Sequence, residues 1–350
     1  MWKRNVLWGL LILTMLSTAC QTGTNEPTRA EPPSPLPDKR CGDGVCDGPE
    51  DVNNCPEDCG QSMSGADEPA VLYLGLMIHL EGWGDDKDEA KFEQHVRIVR
   101  EWAALFETYG AKLTLESKEL TDGIIQWGDN VLLEMQQRGH GVGVHADIGG
   151  SLDYKCARFV DDLRAEKEQL ESLGVVVLHV SGNTSHCDWV TATVDAGYVF
   201  TTGIVSYSVM SMPEELRPAE YRDCKTPSEC HDVIPADLAG RIHPWRANSG
   251  LDWLTHDPNG RMVILAESGE MPTNMEDIDA FIAELEEAIA LSESGKVNIY
   301  YVGKSIGSNI DASVLEAWLQ RIQPYIQSGQ VQWATLPEMY DAYVQWELGQ

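Results

Sequence analysis

From Ala70 to the C-terminus the chain alternates apolar runs of strand length with amphipathic helices, and few architectures accommodate that alternation. The runs "AVLYLGLMIHL", "AKLTLES", "GVGVHAD", "VVVLHVSGN", "VFTTGI", "RIHPWRA", "MVILAES", "VNIYYVG" and "VQWATL" predict buried strands. Between the first two, Phe92, Val96, Val99, Ala103 and Phe106 recur at helical spacing and stop at Gly110. Further helices are predicted over "NVLLEMQQRGH", Ser151 to Leu173, "DWVTATVDAGY", Met275 to Leu291 and Ala312 to Ile326, with one more at the C-terminus. Buried strands alternating with helices mean a parallel sheet covered by helices, and seven or eight such units over about 280 residues close best into a barrel. The expected fold is therefore α/β: a distorted, seven- or eight-stranded (β/α) barrel over residues 69–350. The repeat breaks over residues 205–240, an irregular, proline-containing stretch that reads as a loop insertion pinned by Cys224 and Cys230.

The N-terminal part has a different texture. In residues 1–20, Lys3 and Arg4 precede an apolar run from Val6 to Met15 that is too short to span a bilayer, the layout of an export signal. The segment ends in "LSTAC", which resembles the lipobox of bacterial lipoproteins with its leucine, Leu16, one place further from the cysteine. A lipoprotein-type signal peptide makes Cys20 a lipid anchor, and an ordinary secretory signal is the alternative; both imply export to the cell envelope or beyond. Residues 21–40, rich in Pro, Thr and charge, read as a flexible linker. Residues 41–60, "CGDGVCDGPEDVNNCPEDCG", hold four cysteines and almost no hydrophobe, so only crosslinks or a metal can give them shape. Asp43, Asp47, Glu50, Asp51 and Asp58 offer hard oxygen ligands suited to Ca²⁺, and the stretch is similar to thrombospondin-type calcium repeats without their full aspartate ladder. A disulfide knot with solvated acids explains the same residues equally well.

Setting Cys20 aside leaves eight cysteines, an even number compatible with disulfides in an exported protein. Spacing suggests pairing within 41–60 and between Cys224 and Cys230, leaving Cys156 for Cys187. Without residues 1–20 the balance is 23 basic against 56 acidic residues, a net charge of −33. That field repels nucleic acid and anionic lipid, so membrane contact is expected only through the anchor on Cys20. It suits neutral or cationic ligands and divalent ions, although solubility alone accounts for most of the carboxylates.

In a parallel barrel the chemistry gathers at the carboxyl ends of the strands. The first strand ends in His79-Leu80-Glu81 and the third in His145-Ala146-Asp147, each a polar pair spaced so that both members face one side. His79, Glu81 and His145 are the candidate ligands of a divalent metal, Zn²⁺ first. Asp147 is a candidate base or fourth ligand. "RIHPWRANSGLDW" adds His243, Arg246 and Asp252, while His179 reads as a hydrogen-bonded core residue, His95 as part of a charged helix face and His256 as part of a turn.

Several segments, in order, resemble the polysaccharide deacetylase group of carbohydrate esterases. "LMIHLEGW" stands where that family carries two aspartates and a glycine, and "RGHGVGVHADIG" is similar to its Gly-His-Glu-Ile-Gly-x-His segment. "SGNTSHCDWVTATVDAGYVFTTG", "HPWRANSGLDWL" and "NIYYVGKS" follow in the family's order. The resemblance implies a distorted (β/α) barrel and metal-dependent removal of acetyl groups from glycans. The departures are equally plain. Leu80-Glu81 replaces the paired aspartates, Gly149 stands where a second histidine ligand belongs, and no histidine ends the strand at Gly303 and Lys304.

Under the enzyme reading, a divalent cation polarises the acetamide carbonyl, Asp147 or Asp252 takes a proton and Arg246 stabilises the oxyanion. His243, Trp83, Trp245 and Trp253 would bind sugar, with Trp189 a further stacking candidate and core packing the competing explanation for the tryptophans. The sequence thus points to an exported, surface-anchored carbohydrate deacetylase-like hydrolase. The alternative is a catalytically inactive glycan- or partner-binding lipoprotein on the same barrel, which the missing base and histidines favour. A glycosidase pairing Glu81 with Glu267 is a third reading.

Overall fold

The structure, a computed structural model, describes residues 69–306 and 311–350. The signal segment 1–20 with Cys20, the linker 21–40 and the cysteine-rich module 41–60 with Asp43, Asp47, Glu50, Asp51 and Asp58 lie outside the described residues. In chain order the elements are β1 (Leu72–Leu80), α1 (Glu89–Thr108), β2 (Thr114–Ser117), α2 (Glu119–Trp127), α3 (Val131–Gln137), β3 (Gly141–His145), α4 (Phe159–Glu171), β4 (His179–Ser181), α5 (Trp189–Asp195), β5 (Phe200–Thr201), α6 (Leu238–Arg241), β6 (Trp245–Ala247), β7 (Met262–Ile264), β8 (Gly269–Glu270), α7 (Met275–Leu291), β9 (Asn298–Ser305), α8 (Ala312–Gln327), β10 (Val331–Trp333) and α9 (Leu336–Leu348).

The sheet runs β6-β7-β5-β4-β3-β2-β1-β9-β8, with only the β6–β7 pair antiparallel. It closes through one segment. Residues 262–265 bond to β5, Leu265 N donating to Thr201 O, and a few residues on the same chain bonds to β9, Ser268 N donating to Tyr301 O. Seven parallel stations thus ring the barrel, and β10, paired to Leu72–Leu74 at the start of β1, makes an eighth, short one. This is the distorted (β/α) barrel that the alternation predicts.

Strand periodicity separates two cores. Leu72, Leu74, Leu76, Ile78 and Leu80 of β1 face the helices and join Phe92, Val99 and Phe106 of α1 in the outer core. Met77 faces inward, with Phe200, Val263, Leu265, Ile299 and Tyr301. Helix α9 crosses the bottom of this interior: Leu336 N donates to Thr114 Oγ1 at the start of β2, Tyr340 stacks on Phe200 at 4.8 Å, and Met339 and Tyr343 join the inner core. The start of α9 is fixed by a capping box between Thr335 and Glu338. With the floor stopped by apolar side chains, polar groups of the interior are left at the carboxyl ends of the strands.

Three local expectations are corrected. The stretch "RIHPWRA" is not a parallel station: Trp245–Ala247 lies antiparallel on β7 while Ile242 O accepts from Ile299 N of β9, so it fills the lower seam where the ring closes. The helix expected from Ser151 begins only at Phe159, after a turn of 3₁₀ helix at Cys156–Arg158. His95 is not on a charged surface but wholly buried, with Nδ1 2.8 Å from Asp85 Oδ2 and its ring stacked on Trp83 at 4.6 Å. Disulfides join Cys156 to Cys187 and Cys224 to Cys230, as the spacing suggested. The second pins the stretch at 205–240, which carries three short 3₁₀ turns before α6.

Candidate functional site

Parallel register stacks the polar side chains of neighbouring strands at matching heights. His79 pairs with Glu116, Glu116 with Gly143, and His145 with Ser181. Thr114 and Glu116 alternate with the outward Leu113 and Leu115, so the carboxylate of β2 enters the barrel and is fully buried. Its Oε2 lies 3.1 Å from His79 Nε2, its Oε1 lies 3.2 Å from His179 Nε2, and the hydroxyls of Ser181 and Thr202 donate to it. His179 reaches that position because residue 143 is glycine: a Cβ there would stand 2.2 Å from His179 Nε2. The ring of His179 also stacks on Phe200 at 4.6 Å. Burial pushes the Glu116 carboxyl up, but His179 and His79 against it bring it far below the usual carboxylate range. Glu116 is therefore an anion at the centre of the interior, accepting from two hydroxyls and with an imidazole nitrogen close to each of its oxygens.

One layer higher lies a second cluster. His145 Nε2 is 3.1 Å from Glu81 Oε2 and 3.2 Å from Asp147 Oδ1, while its Nδ1 is 2.8 Å from Ser181 Oγ. His79 stacks on His145 with centroids 4.0 Å apart, and His79 Nδ1 is 4.0 Å from Glu81 Oε1. Asp147 has φ 48°, a left-handed conformation that aspartate tolerates better than most residues, and Lys118 pairs with its outer oxygen. Burial pulls the His145 imidazole down, but Asp147 and Glu81 outweigh it and raise the ring to about 10. The hydrogen bond from His145 holds Glu81 below its ordinary value, and Asp147 is lowered despite its burial, by His145 and Lys118.

The cluster opens into a cavity of about 310 Å³ lined by His79, Glu81, His145, Asp147, Glu267 and His231, among others. His231 and Pro227 come from the 205–240 stretch, which thus forms part of the wall. A larger cavity of about 930 Å³ lies at the lower seam beside α9, lined by His243, Trp245, Arg246, Tyr343 and Glu347. No metal-donor group is found there among the described residues.

Two sets of donors suit a cation: His79, Glu116 and His145, and Glu81, His145 and Asp147, the atoms of each set within 4.8 Å of one another. In the first set Glu116 is already surrounded by hydrogen-bond donors, whereas the second faces the cavity. Two carboxylates converging on one imidazole nitrogen suit a divalent ion with nitrogen and oxygen ligands. A third group, Cys156, His186 and Cys187, has its sulfurs in a disulfide.

Of the residues singled out from sequence, His79, Glu81, His145 and Asp147 come together. Glu267, named for the glycosidase reading, lines the same cavity, whereas Arg246, Asp252, His243 and the tryptophans lie elsewhere, which corrects their placement at the mouth. Arg246 is spent on Glu347, with Nε 2.8 Å from Oε1, and on Gly260 O, and it lines the seam cavity together with His243 and Trp245. Asp252 is exposed and lines neither cavity. Trp253 and Trp189 are fully buried, Trp245 is nearly so, and Trp83 packs on His95. Trp245 and Arg246 lie on β6, which is antiparallel to β7, and His243 just precedes that strand, so their side chains do not share the upper end of the ring. Glu116 and Lys118 escaped notice, although the Thr-Leu-Glu alternation of β2 signals an inward carboxyl.

No protein-family model matches the chain, and no curated protein matches its sequence. Solved structures that it resembles include a 4-alpha-glucanotransferase from Thermococcus litoralis, with TM-score 0.46 and 15% identity over 77% of this chain and 40% of the other. A structure named as a polysaccharide deacetylase, from Mycobacterium smegmatis, gives TM-score 0.48 and 11% identity over 80% and 92% of the two chains. Puue allantoinase gives TM-score 0.47 and 13% identity over 79% and 93%. The chain thus spans two fifths of the glucanotransferase and nearly all of the other two.

Proposed function

We propose that this protein is a metal-dependent hydrolase of the carbohydrate deacetylase kind, acting on N- or O-acetylated glycan. The observation that carries the reading is the convergence of Glu81 and Asp147 on His145 Nε2, at 3.1 and 3.2 Å, at the wall of a cavity large enough for an acetylated sugar. Glu81, His145 and Asp147 would hold the ion, with His79 stacked beside them and Ser181 orienting the other nitrogen of His145. Both carboxyls are kept ionised, the state a cation requires of them. When bound, a divalent cation supplies Lewis acidity toward an acyl carbonyl. The chain's own part is to hold the donors rigid on strand ends and to admit the acetyl group. The expected export signal and lipidation of Cys20 support action at the cell envelope, on glycan outside the cytoplasm.

The test is elemental analysis of the purified protein beside acetate release from acetylated chito- and xylo-oligosaccharides. Stoichiometric zinc, nickel or cobalt, lost in His145→Ala and Glu81→Ala together with acetate release, is the expected result. Glycan binding without transition metal or acetate release would select the binding-protein reading, and cleavage of glycosidic bonds unaffected by chelators would select glycoside hydrolysis. Labelling with a palmitate analogue, lost in Cys20→Ala, tests the anchor.

A further inference from the structure

The proposed hydrolase needs a group to protonate the departing nitrogen or oxygen, and the strand end at Gly303 and Lys304 supplies no histidine for it. Glu267 stands at the point where the closing segment leaves β5 and joins β9. Leu265 N makes the last bond to β5 and Ser268 N the first to β9, so residues 266 and 267 fall between the two ladders. Tyr301 stitches the gap: its hydroxyl donates to Leu265 O at 2.7 Å and accepts from Gly203 N at 2.9 Å. The break turns Glu267 into the barrel, where it lines the same cavity as His79, Glu81, His145 and Asp147. Gly303 makes room for it, since a Cβ there would stand 2.4 Å from Glu267 Oε1, and the Gly303 backbone N–H donates to the carboxyl.

No cation forms an ion pair with Glu267 among the described residues. Arg241, the cation that bears on it, donates instead to Ser268 O and lies near Glu284. The groups facing it are the Glu116 anion of β2, Glu270, Arg241 and the Tyr301 phenol of β9. Burial, then the charges of Glu116 and Glu270, push its carboxyl up to about 8, so it carries a proton at neutral pH.

Resting on the hydrolase reading, we propose that Glu267 is the proton donor of this site. Water adds to the acyl carbon and loses a proton to solvent. As the C–N or C–O bond breaks, the Glu267 proton passes to the departing nitrogen or oxygen, and the carboxylate recovers a proton from solvent. The products are acetate and the free amine or alcohol, and no other reactant is consumed.

The experiment compares wild type with Glu267→Gln on two substrates, an N-acetylated oligosaccharide, whose amine leaves only when protonated, and 4-nitrophenyl acetate, whose phenolate leaves unaided. A proton donor predicts loss of about 10²–10⁴-fold in kcat on the amide and less than about tenfold on the ester, with metal content unchanged. Equal loss on both substrates, or none, overturns the assignment while leaving the hydrolase reading intact. An inactive wild type overturns that reading and the assignment with it. A readout independent of turnover is infrared difference spectroscopy, which should show a protonated carboxyl band at pH 7 that titrates near pH 8 and is missing in Glu267→Gln. Absence of that band in wild type also overturns the assignment.

Discussion

The buried carboxylate of Glu116 gives the sharpest test of how the interior is built. In Glu116→Leu the hydroxyls of Ser181 and Thr202 and the imidazoles of His79 and His179 lose their common partner inside the barrel. Breaking a buried charged pair costs about 3–5 kcal/mol, and each neutral donor left unpaired costs about 1–3 kcal/mol. These costs share one carboxylate and do not add, so the expected loss is about 4–6 kcal/mol. Glu116→Gln preserves volume and one acceptor oxygen, and its amide can donate to a rotated Ser181 hydroxyl. It forfeits the charge on the bonds to the imidazoles, about 1.5–3 kcal/mol. Against a total of about 5–15 kcal/mol the leucine variant is severely weakened and the glutamine variant measurably so. The assay is urea unfolding of the full chain, read as a midpoint shift at unchanged slope. Acid supplies a second axis. The Glu116 carboxyl lies lower in the folded chain than its ordinary 4.5, so its contribution is present above pH 4.5 and is lost as pH falls toward the folded value. The gap between wild type and Glu116→Gln should therefore narrow below about pH 4.5, by up to about 1.4 kcal/mol per pH unit. A glutamine variant within about 0.5 kcal/mol of wild type at pH 7, or a gap unchanged down to pH 3, would refute the argument that this anion organises the interior.

Three further outcomes follow from the same geometry. Lys118→Met removes the cation that competes for Asp147, so Zn²⁺ affinity by chelator competition should rise about twofold to fivefold, and a decrease would show that Lys118 instead orients the ligand. Since His145 is raised to about 10 and must shed its proton to bind an ion, affinity should climb with pH between 6 and 9 by up to about tenfold per unit, with a proton released in calorimetry; a flat profile contradicts this. Replacing both Cys156 and Cys187 by alanine opens a loop with a sequence separation of 31 and should cost about 3–4 kcal/mol, whereas the separation of 6 between Cys224 and Cys230 predicts about 2 kcal/mol; thermal unfolding of the two double variants reverses the order if the entropic account is wrong.

The strand ends at His79-Leu80-Glu81 and His145-Ala146-Asp147 were legible because the two-residue period sends alternate side chains to one face, whatever the neighbours are. Glu116 was partly legible for the same reason, since it alternates with two leucines. Arg246, His243 and Asp252 misled because strand direction is not written in hydropathy. A run such as "RIHPWRA" reads the same whether it joins the ring or lies antiparallel in its seam.

What the chain determines by itself is local: which segments are strands or helices, which residues alternate, and that seven or so such units must cover one another. Only the tertiary structure decided the rest. Parallel register brought Glu81, His145 and Asp147 to one height, closure through residues 262–270 turned Glu267 inward, and α9 stopped the floor. These are meetings between residues far apart in sequence, set by hydrogen-bond register and by the packing of one element on another, and periodicity within a segment carries no information about them.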